Sequence, residues 1–110
     1  NNPTGAIWPH ESVRALANRY PGTTFIVDEA YIEFTPHDAA TGRSTVSCVD
    51  LAIEMPNVIV TRTFSKAFCL ASVRCGYIVA HPNTVENLRG YYNPKAVNQL
   101  AQIAAEAALK

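Results

Sequence analysis

Lys66 is the residue whose type and neighbours most clearly suggest covalent chemistry. It lies between Phe64-Ser65 and Ala67-Phe68, and an apolar environment disfavours the ammonium form and leaves a neutral, nucleophilic amine. A neutral lysine amine condenses with an aldehyde to form a Schiff base. A lysine beside aromatic residues more often extends its amine into water, so the residues around Lys66 must decide between the two interpretations.

Those residues suit a phosphate group. Thr63 and Ser65 carry hydroxyls, a predicted helical turn after Lys66 offers free backbone N–H groups, and Arg74 offers a permanent charge. One segment therefore combines an amine that can form an imine with a binding site for phosphate. Pyridoxal 5′-phosphate is the cofactor that is both an aldehyde and a phosphate ester. The sequence therefore predicts a binding site for pyridoxal 5′-phosphate around Lys66.

A second polar group could serve the ring of the same cofactor. Asp28 follows an apolar run, and a buried carboxylate there would keep a pyridine nitrogen protonated, which makes the ring an electron sink. Tyr31 and Asn2 could both donate hydrogen bonds to the ring phenolate oxygen. An interpretation without chemistry is also open, in which Asp28 and Glu29 form a solvated strand end.

The elements that must position these residues follow from hydrophobic patterning. Unbroken apolar runs predict strands over 24–27 and 58–61, buried on both faces and hence parallel, and a third strand over 76–80. Helices are predicted over 9–20, 48–54 and 82–90, and a short helical turn over 67–71. A last helix is predicted from Pro94 onward, with an apolar face that includes Leu100, Ala101, Ala104 and Ala108. The fold class is α/β, a mostly parallel sheet flanked by helices. Two polar clusters, Asp28/Tyr31 and Thr63/Ser65/Lys66, then lie at the carboxyl edge of the sheet, where such folds bind ligands.

Four short motifs in this order resemble a known family. They are Asn2-Pro3-Thr4-Gly5, Asp28-Glu29-Ala30-Tyr31, Thr63-Phe64-Ser65-Lys66-Ala67-Phe68 and Arg74-Cys75-Gly76-Tyr77. The series is similar to that of fold-type I pyridoxal-phosphate enzymes, within them to class I/II aminotransferases, and most of all to histidinol-phosphate aminotransferases. The resemblance covers essentially the whole chain. The chain departs from the family pattern at Cys69 and Ser72, where glycine is common in the family.

The resemblance implies a role for each matching position. Lys66 corresponds to the lysine that bonds the cofactor and shuttles a proton, and Asp28 to the partner of the pyridine nitrogen. The remaining matches are Tyr31 and Asn2 at the phenolate oxygen, and Thr63, Ser65 and Arg74 at the phosphate. The implied activity is amino-group transfer between an amino acid, histidinol phosphate among the candidates, and a 2-oxo acid, in amino-acid (histidine) biosynthesis.

The resemblance also implies that residues 1–110 are part of a large, cofactor-binding domain, with no complete second domain. The family's ring-stacking residue and substrate-carboxylate arginine fall outside this segment, and its enzymes are homodimers. We therefore expect the 110-residue chain alone to be inactive. Two alternatives stay open: an amino-acid phosphate decarboxylase of the same fold, and a truncated fragment without activity of its own.

Composition limits the possible partners. Nine basic residues balance nine acidic ones, so the charge balance favours neither nucleic acid nor an anionic membrane as a partner. No apolar run approaches the roughly 18 residues of a membrane span. Cys48, Cys69 and Cys75 have no zinc-site spacing, so no metal site is predicted, and free thiols favour a cytoplasmic location.

Overall fold

The computed structural model describes residues 1–110 and contains four α-helices and three strands. The helices are α1 (His10–Arg19), α2 (Val49–Glu54), α3 (Pro82–Arg89) and α4 (Gln99–Ala108), and the strands are β1 (Phe25–Asp28), β2 (Val58–Thr63) and β3 (Gly76–Ala80). Short 3₁₀ turns lie at Ile32–Phe34 and Ala71–Val73. None of the helices is both long enough and apolar enough to cross a membrane. The predicted order of helices and strands along the chain is confirmed.

The strands form one sheet in the order β1-β2-β3. β1 pairs with β2 in parallel, with Val27 opposite Val60, whereas β2 and β3 are antiparallel, with Val60 opposite Val79. The α/β class is confirmed. The sheet is mixed, because the connection from β2 to β3 reverses the chain instead of crossing over the sheet.

The core lies on one face of this sheet. Val58 and Val60 are fully buried against Leu51 of α2, and α1 contributes Val13 and Ala17. Because side chains alternate between the two faces of a strand, the odd-numbered residues of β1 and the even-numbered residues of β2 face these helices. The opposite face therefore carries Ile26, Asp28, Thr61 and Thr63.

The prediction that β1 is buried on both faces is wrong. Ile26 is 68% exposed, and Asp28 is exposed as well. β1 is an edge strand of the sheet, and the helices that form the core pack on its other face. An unbroken apolar run indicates that a strand tends to be buried. It does not show whether residues of this chain pack against both faces of the strand.

The start of the last helix is also corrected. Pro94 lies in a β-turn closed by the Ala96 N–H on the Asn93 carbonyl (3.0 Å), because proline fits the second position of a turn as well as the first turn of a helix. α4 begins at Gln99, where the Asn98 side chain accepts a hydrogen bond from Ala101 N–H. Its buried residues are Ala101 and Ala105, and the predicted stripe residue Leu100 is 76% exposed.

Candidate functional site

The two predicted polar clusters lie at one edge of the sheet. β1 and β2 are parallel, with Asp28 opposite Thr61. Thr61 Oγ1 donates to Asp28 Oδ1 (3.4 Å), and the same oxygen accepts from Ala30 N–H (3.1 Å). The Asp28 carboxylate is therefore oriented by the neighbouring strand and by its own turn, next to the point where β2 ends at Thr63. The expected convergence of the two strand ends is confirmed.

Tyr31 brings together residues from three separate segments. Its hydroxyl oxygen is 3.5 Å from Nδ2 of Asn2, at the outer limit of a hydrogen bond. The amine nitrogen of Lys66 lies 5.3 Å from the centre of the Tyr31 ring, within the range of a cation–π contact. Asn2 itself lies in a tight turn, closed by Gly5 N–H on the Asn1 carbonyl (2.7 Å), in which Gly5 has a positive φ. An amine, a phenol and an amide thus lie close together.

Thr63 and Ser65 form a second polar pair. Thr63 Oγ1 donates to Ser65 Oγ (2.9 Å) and accepts from Ser65 N–H (3.1 Å). Arg74 is not hydrogen-bonded to either residue. Its Nη1 donates to the Ala71 carbonyl (2.7 Å), which leaves the other N–H groups of the guanidinium available.

The helical turn predicted after Lys66 is absent. Cys69 N–H donates to the Lys66 carbonyl (3.0 Å), Leu70 N–H returns to the Phe64 carbonyl (3.0 Å), and Cys69 takes a left-handed conformation with φ of 56°. A residue in that conformation ends a right-handed helix. The first helical turn comes only at Ala71–Val73. The helix N-terminus expected directly after Lys66 is therefore not formed there, and Cys69 occupies a conformation that favours glycine.

The expected burial of Lys66 and Asp28 is also wrong for this chain. Both side chains are exposed, although Phe64, two residues before Lys66, is 5% exposed and packs against Phe68 and Tyr77 with ring-centre distances of 5.2 and 5.7 Å. Asp28 points away from the helix-covered face of the sheet. Within residues 1–110, apolar burial therefore does not by itself make the Lys66 amine neutral.

Glu29 is the residue that the sequence analysis missed. It is 5% exposed and is the one buried charged side chain, not a solvated strand end. Its Oε2 lies 2.8 Å from Nη2 and 3.0 Å from Nε of Arg62. Strand alternation could have found it, since Glu29 and Arg62 continue the core-facing positions of Val27 and Val60 and carry opposite charges.

Burial and the contacts of the Glu29–Arg62 pair shift two pKa values. Burial disfavours the charged form of Arg62, but hydrogen bonds, chiefly to Glu29, outweigh this effect, so the pKa of Arg62 is raised. Burial, reinforced by the charge of Glu29, raises the pKa of the Cys48 thiol to about 11. Cys48 is therefore a buried, unreactive thiol, and neither Glu29 nor Arg62 belongs to the exposed set of site residues.

The exposed side chains suit an anionic aldehyde with a ring nitrogen. Lys66 supplies a primary amine and Asp28 a carboxylate, and each is exposed at the same edge of the sheet. Tyr31 and Asn2 supply donors for a ring oxygen, and the hydroxyls of Thr63 and Ser65 can donate to a phosphate. Each functional group of pyridoxal phosphate has a chemically matched partner in this set.

Known proteins match the chain over its full length. The aminotransferase class I and II family matches residues 1–110. A dihydroxyacetone phosphate transaminase of Campylobacter jejuni is 46% identical over 110 residues, which are 100% of this chain and 28% of the relative. The chain thus spans less than a third of that relative's length.

Two solved structures share the fold. Histidinol-phosphate aminotransferase of Sinorhizobium meliloti in complex with pyridoxal-5′-phosphate has a TM-score of 0.82 and 38% identity, over 98% of this chain and 28% of its own. L-threonine-O-3-phosphate decarboxylase of Porphyromonas gingivalis has a TM-score of 0.83 and 31% identity, over 99% and 31%. Together with the match over the whole sequence, these likenesses show that the chain belongs to the class I and II aminotransferase family.

Proposed function

We propose that the chain forms the centre of the cofactor-binding domain of a pyridoxal-phosphate-dependent aminotransferase, which transfers an amino group between an amino acid and a 2-oxo acid. The observation that carries the proposal is the meeting of Asn2, Tyr31 and Lys66 beside the strand end that bears Asp28. In this proposal residues 1–110 are part of a large domain, and further chain completes the enzyme.

The cofactor, when bound, supplies an aldehyde for an amine and a ring that accepts electrons from the substrate. Lys66 would be the amine that bonds it. Once the amino group of the substrate has displaced it, the freed Lys66 amine would take the proton of the substrate α-carbon and deliver it to the cofactor. Asp28, held by Thr61 and by Ala30 N–H, keeps a proton on the pyridine nitrogen. Tyr31 and Asn2 hold the ring oxygen by donating hydrogen bonds.

The phosphate is assigned to Thr63, Ser65 and Arg74. Ser65 Oγ accepts from Thr63 Oγ1 and keeps its own hydrogen for an anion, while the Thr63 hydroxyl can turn to an anion from Ser65 Oγ or the Cys75 carbonyl. Arg74 adds a permanent charge. Ser65 N–H is already bonded to Thr63 Oγ1. The hydroxyls and the guanidinium therefore provide the donors in this segment, in place of the helix N-terminus expected from the sequence.

The substrate is proposed to be a small phosphate ester, with histidinol phosphate as the first candidate and histidine biosynthesis as its setting. The names of the three relatives described above all contain a phosphorylated compound, which supports the class but not a particular member. The enzyme is further proposed to be a cytoplasmic homodimer. The three cysteines are free thiols, which is compatible with a reducing compartment.

The test uses the full-length enzyme that carries this chain, loaded with pyridoxal phosphate and then reduced with borohydride. We expect a visible absorption band that reduction abolishes, with the stable adduct located on Lys66 by peptide mass analysis. Lys66→Ala should show neither the band nor the adduct, whereas the matched variant Lys95→Ala, altered at another exposed lysine, should show both. An adduct that persists in Lys66→Ala would refute the assignment.

A second candidate activity is decarboxylation of an amino-acid phosphate. The likeness to the threonine-phosphate decarboxylase supports it as strongly in fold as the aminotransferase likeness does, with TM-scores of 0.83 and 0.82. The two reactions need the same cofactor site and differ in which bond of the α-carbon breaks. Release of a keto product from an amino donor would support transamination, and release of carbon dioxide would support decarboxylation.

A further inference from the structure

The buried Glu29 carboxylate is the centre of a partly buried hydrogen-bond network that joins three segments. It accepts from Cys48 N–H (2.6 Å), from Ser47 Oγ (3.1 Å) and from Nε and Nη2 of Arg62 (3.0 and 2.8 Å). Nη2 of Arg62 also donates to Ser47 Oγ (2.9 Å), and that oxygen accepts from Val49 N–H (3.2 Å). The end of β1, the end of β2 and the start of α2 are thus held together.

This network lies directly behind the proposed cofactor residues. Glu29 follows Asp28 in the chain, and its own N–H donates to the Thr61 carbonyl (2.9 Å). Arg62 lies between Thr61, which contacts Asp28, and Thr63. Because neighbouring residues of a strand point to opposite faces, the ion pair is on the helix-covered face while Asp28 and Thr63 are on the open face. Any shift of the pair therefore moves both strand ends that carry the site.

Stability alone does not explain an ion pair in this place. Replacing a buried ion pair by apolar side chains of similar volume is often neutral or stabilising. The feature that apolar contacts cannot supply is direction, and here the planar guanidinium makes two hydrogen bonds to one carboxylate oxygen while a backbone N–H holds the other. Such a contact sets the relative position of two strand ends more tightly than packing does.

We propose that Glu29 and Arg62 are positioning residues of the cofactor site, which fix the segment of Asp28 and Tyr31 against the segment of Thr63, Ser65 and Lys66. The inference rests on the proposed function and adds two residues to it. Neither residue touches the cofactor. Their effect reaches it through the backbone of the residues next to them, as outer groups do when they orient the ligands of a bound ion.

The test compares conservative variants in the full-length enzyme that carries this chain. Glu29→Gln removes the charge but keeps an acceptor for Cys48 N–H, and Arg62→Lys keeps the charge but removes the two-pronged contact. The measured quantities are the dissociation constant for pyridoxal phosphate and the absorption maximum of the bound cofactor. We expect each variant to bind the cofactor about tenfold or more weakly, in the range of outer positioning groups at metal sites, with a displaced maximum.

The matched controls change an ion pair elsewhere. Nη1 of Arg14 contacts both carboxylate oxygens of Glu54 at 3.0 Å, between α1 and α2. Arg14→Lys and Glu54→Gln should leave both the affinity and the spectrum unchanged. Should Glu29→Gln or Arg62→Lys fail to fold, Ser47→Ala keeps the ion pair and removes only its bridging hydroxyl, and a loss of affinity of about twofold or more is then expected.

The outcomes separate this inference from the function on which it rests. A wild-type enzyme without a visible band or a reducible adduct on Lys66 would refute the proposed function. A wild-type enzyme that binds the cofactor, together with Glu29→Gln, Arg62→Lys and Ser47→Ala variants of unchanged affinity and spectrum, would refute only the positioning role. Lower resistance to urea with unchanged cofactor properties would likewise mean that the pair is merely structural.

Discussion

Gly76 allows the close approach of β3 to β2 at the edge that bears the site. It lies opposite Thr63, and a Cβ built on it would be 2.7 Å from the Arg62 carbonyl oxygen, against about 3.4 Å for ordinary contact. Gly76→Ala therefore requires β3 to move by about 0.7 Å, and the obstacle is backbone that cannot rotate away. Overpacking of this kind costs about 1–3 kcal/mol. The lower backbone entropy of unfolded alanine returns about 0.5–1 kcal/mol.

The net expectation for Gly76→Ala is a loss of about 1–2 kcal/mol of unfolding free energy, because β3 is an edge strand and can yield in part. Gly90→Ala is the matched control, since Gly90 has a helical φ of −63° and no atom within 4 Å of a built Cβ. It should be neutral or gain about 0.4–1 kcal/mol.

The assay is urea unfolding of the 110-residue chain and both variants, followed by far-ultraviolet circular dichroism. With a slope of about 2 kcal/mol/M, the Gly76→Ala midpoint should fall by about 0.5–1 M while the Gly90→Ala midpoint stays or rises. Equal midpoints for the two variants would refute the reasoning, because the substitutions are chemically identical and differ only in the space available to the added methyl group.

Two further predictions concern a histidine and a strained loop. Burial lowers the pKa of His10, but its hydrogen bonds to neighbouring carboxylates raise it more, so the net pKa is above 6.5. The contacts of protonated His10 with these carboxylates therefore stabilise the fold fully below pH 6.5. This stabilisation is lost as the pH rises through the pKa of His10 in the folded chain. His10→Gln should therefore lower the urea midpoint at about pH 5 and change it little at about pH 9. An equal fall of the midpoint at both pH values would contradict a raised pKa of His10. Cys69→Gly should stabilise the chain by about 0.5–1 kcal/mol, because Cys69 has a φ of 56°. Ser72→Gly, in the neighbouring 3₁₀ turn, should destabilise it by a similar amount in the same assay.

The position of Glu29 beside Asp28 shows how one strand end serves two purposes. Asp28 is exposed on the open face, while Glu29 is buried on the face of the core, where it pairs with the partly buried Arg62. The two neighbouring carboxylates therefore lie in opposite environments. One carboxylate is available to a ligand, and the other is fully used by four hydrogen bonds within the chain.

The sequence by itself determined the order of the elements and the set of chemically matched residues. Short hydrophobic runs such as Val58–Val60, rich in β-branched residues and bounded by turn residues, mark the strands, and the polar side-chain types that follow them mark the candidate site. These properties are local, because they depend on patterning within a few residues and on the side-chain types themselves. For this reason the α/β class and the family were predictable without coordinates.

Only the tertiary structure decided what each residue faces. The strand pattern could not say that Glu29 is buried by α2 and paired with Arg62, or that Ile26 and Lys66 are exposed. Burial and partner choice depend on residues distant in sequence, and local patterning contains no information about which of them arrive at a given face.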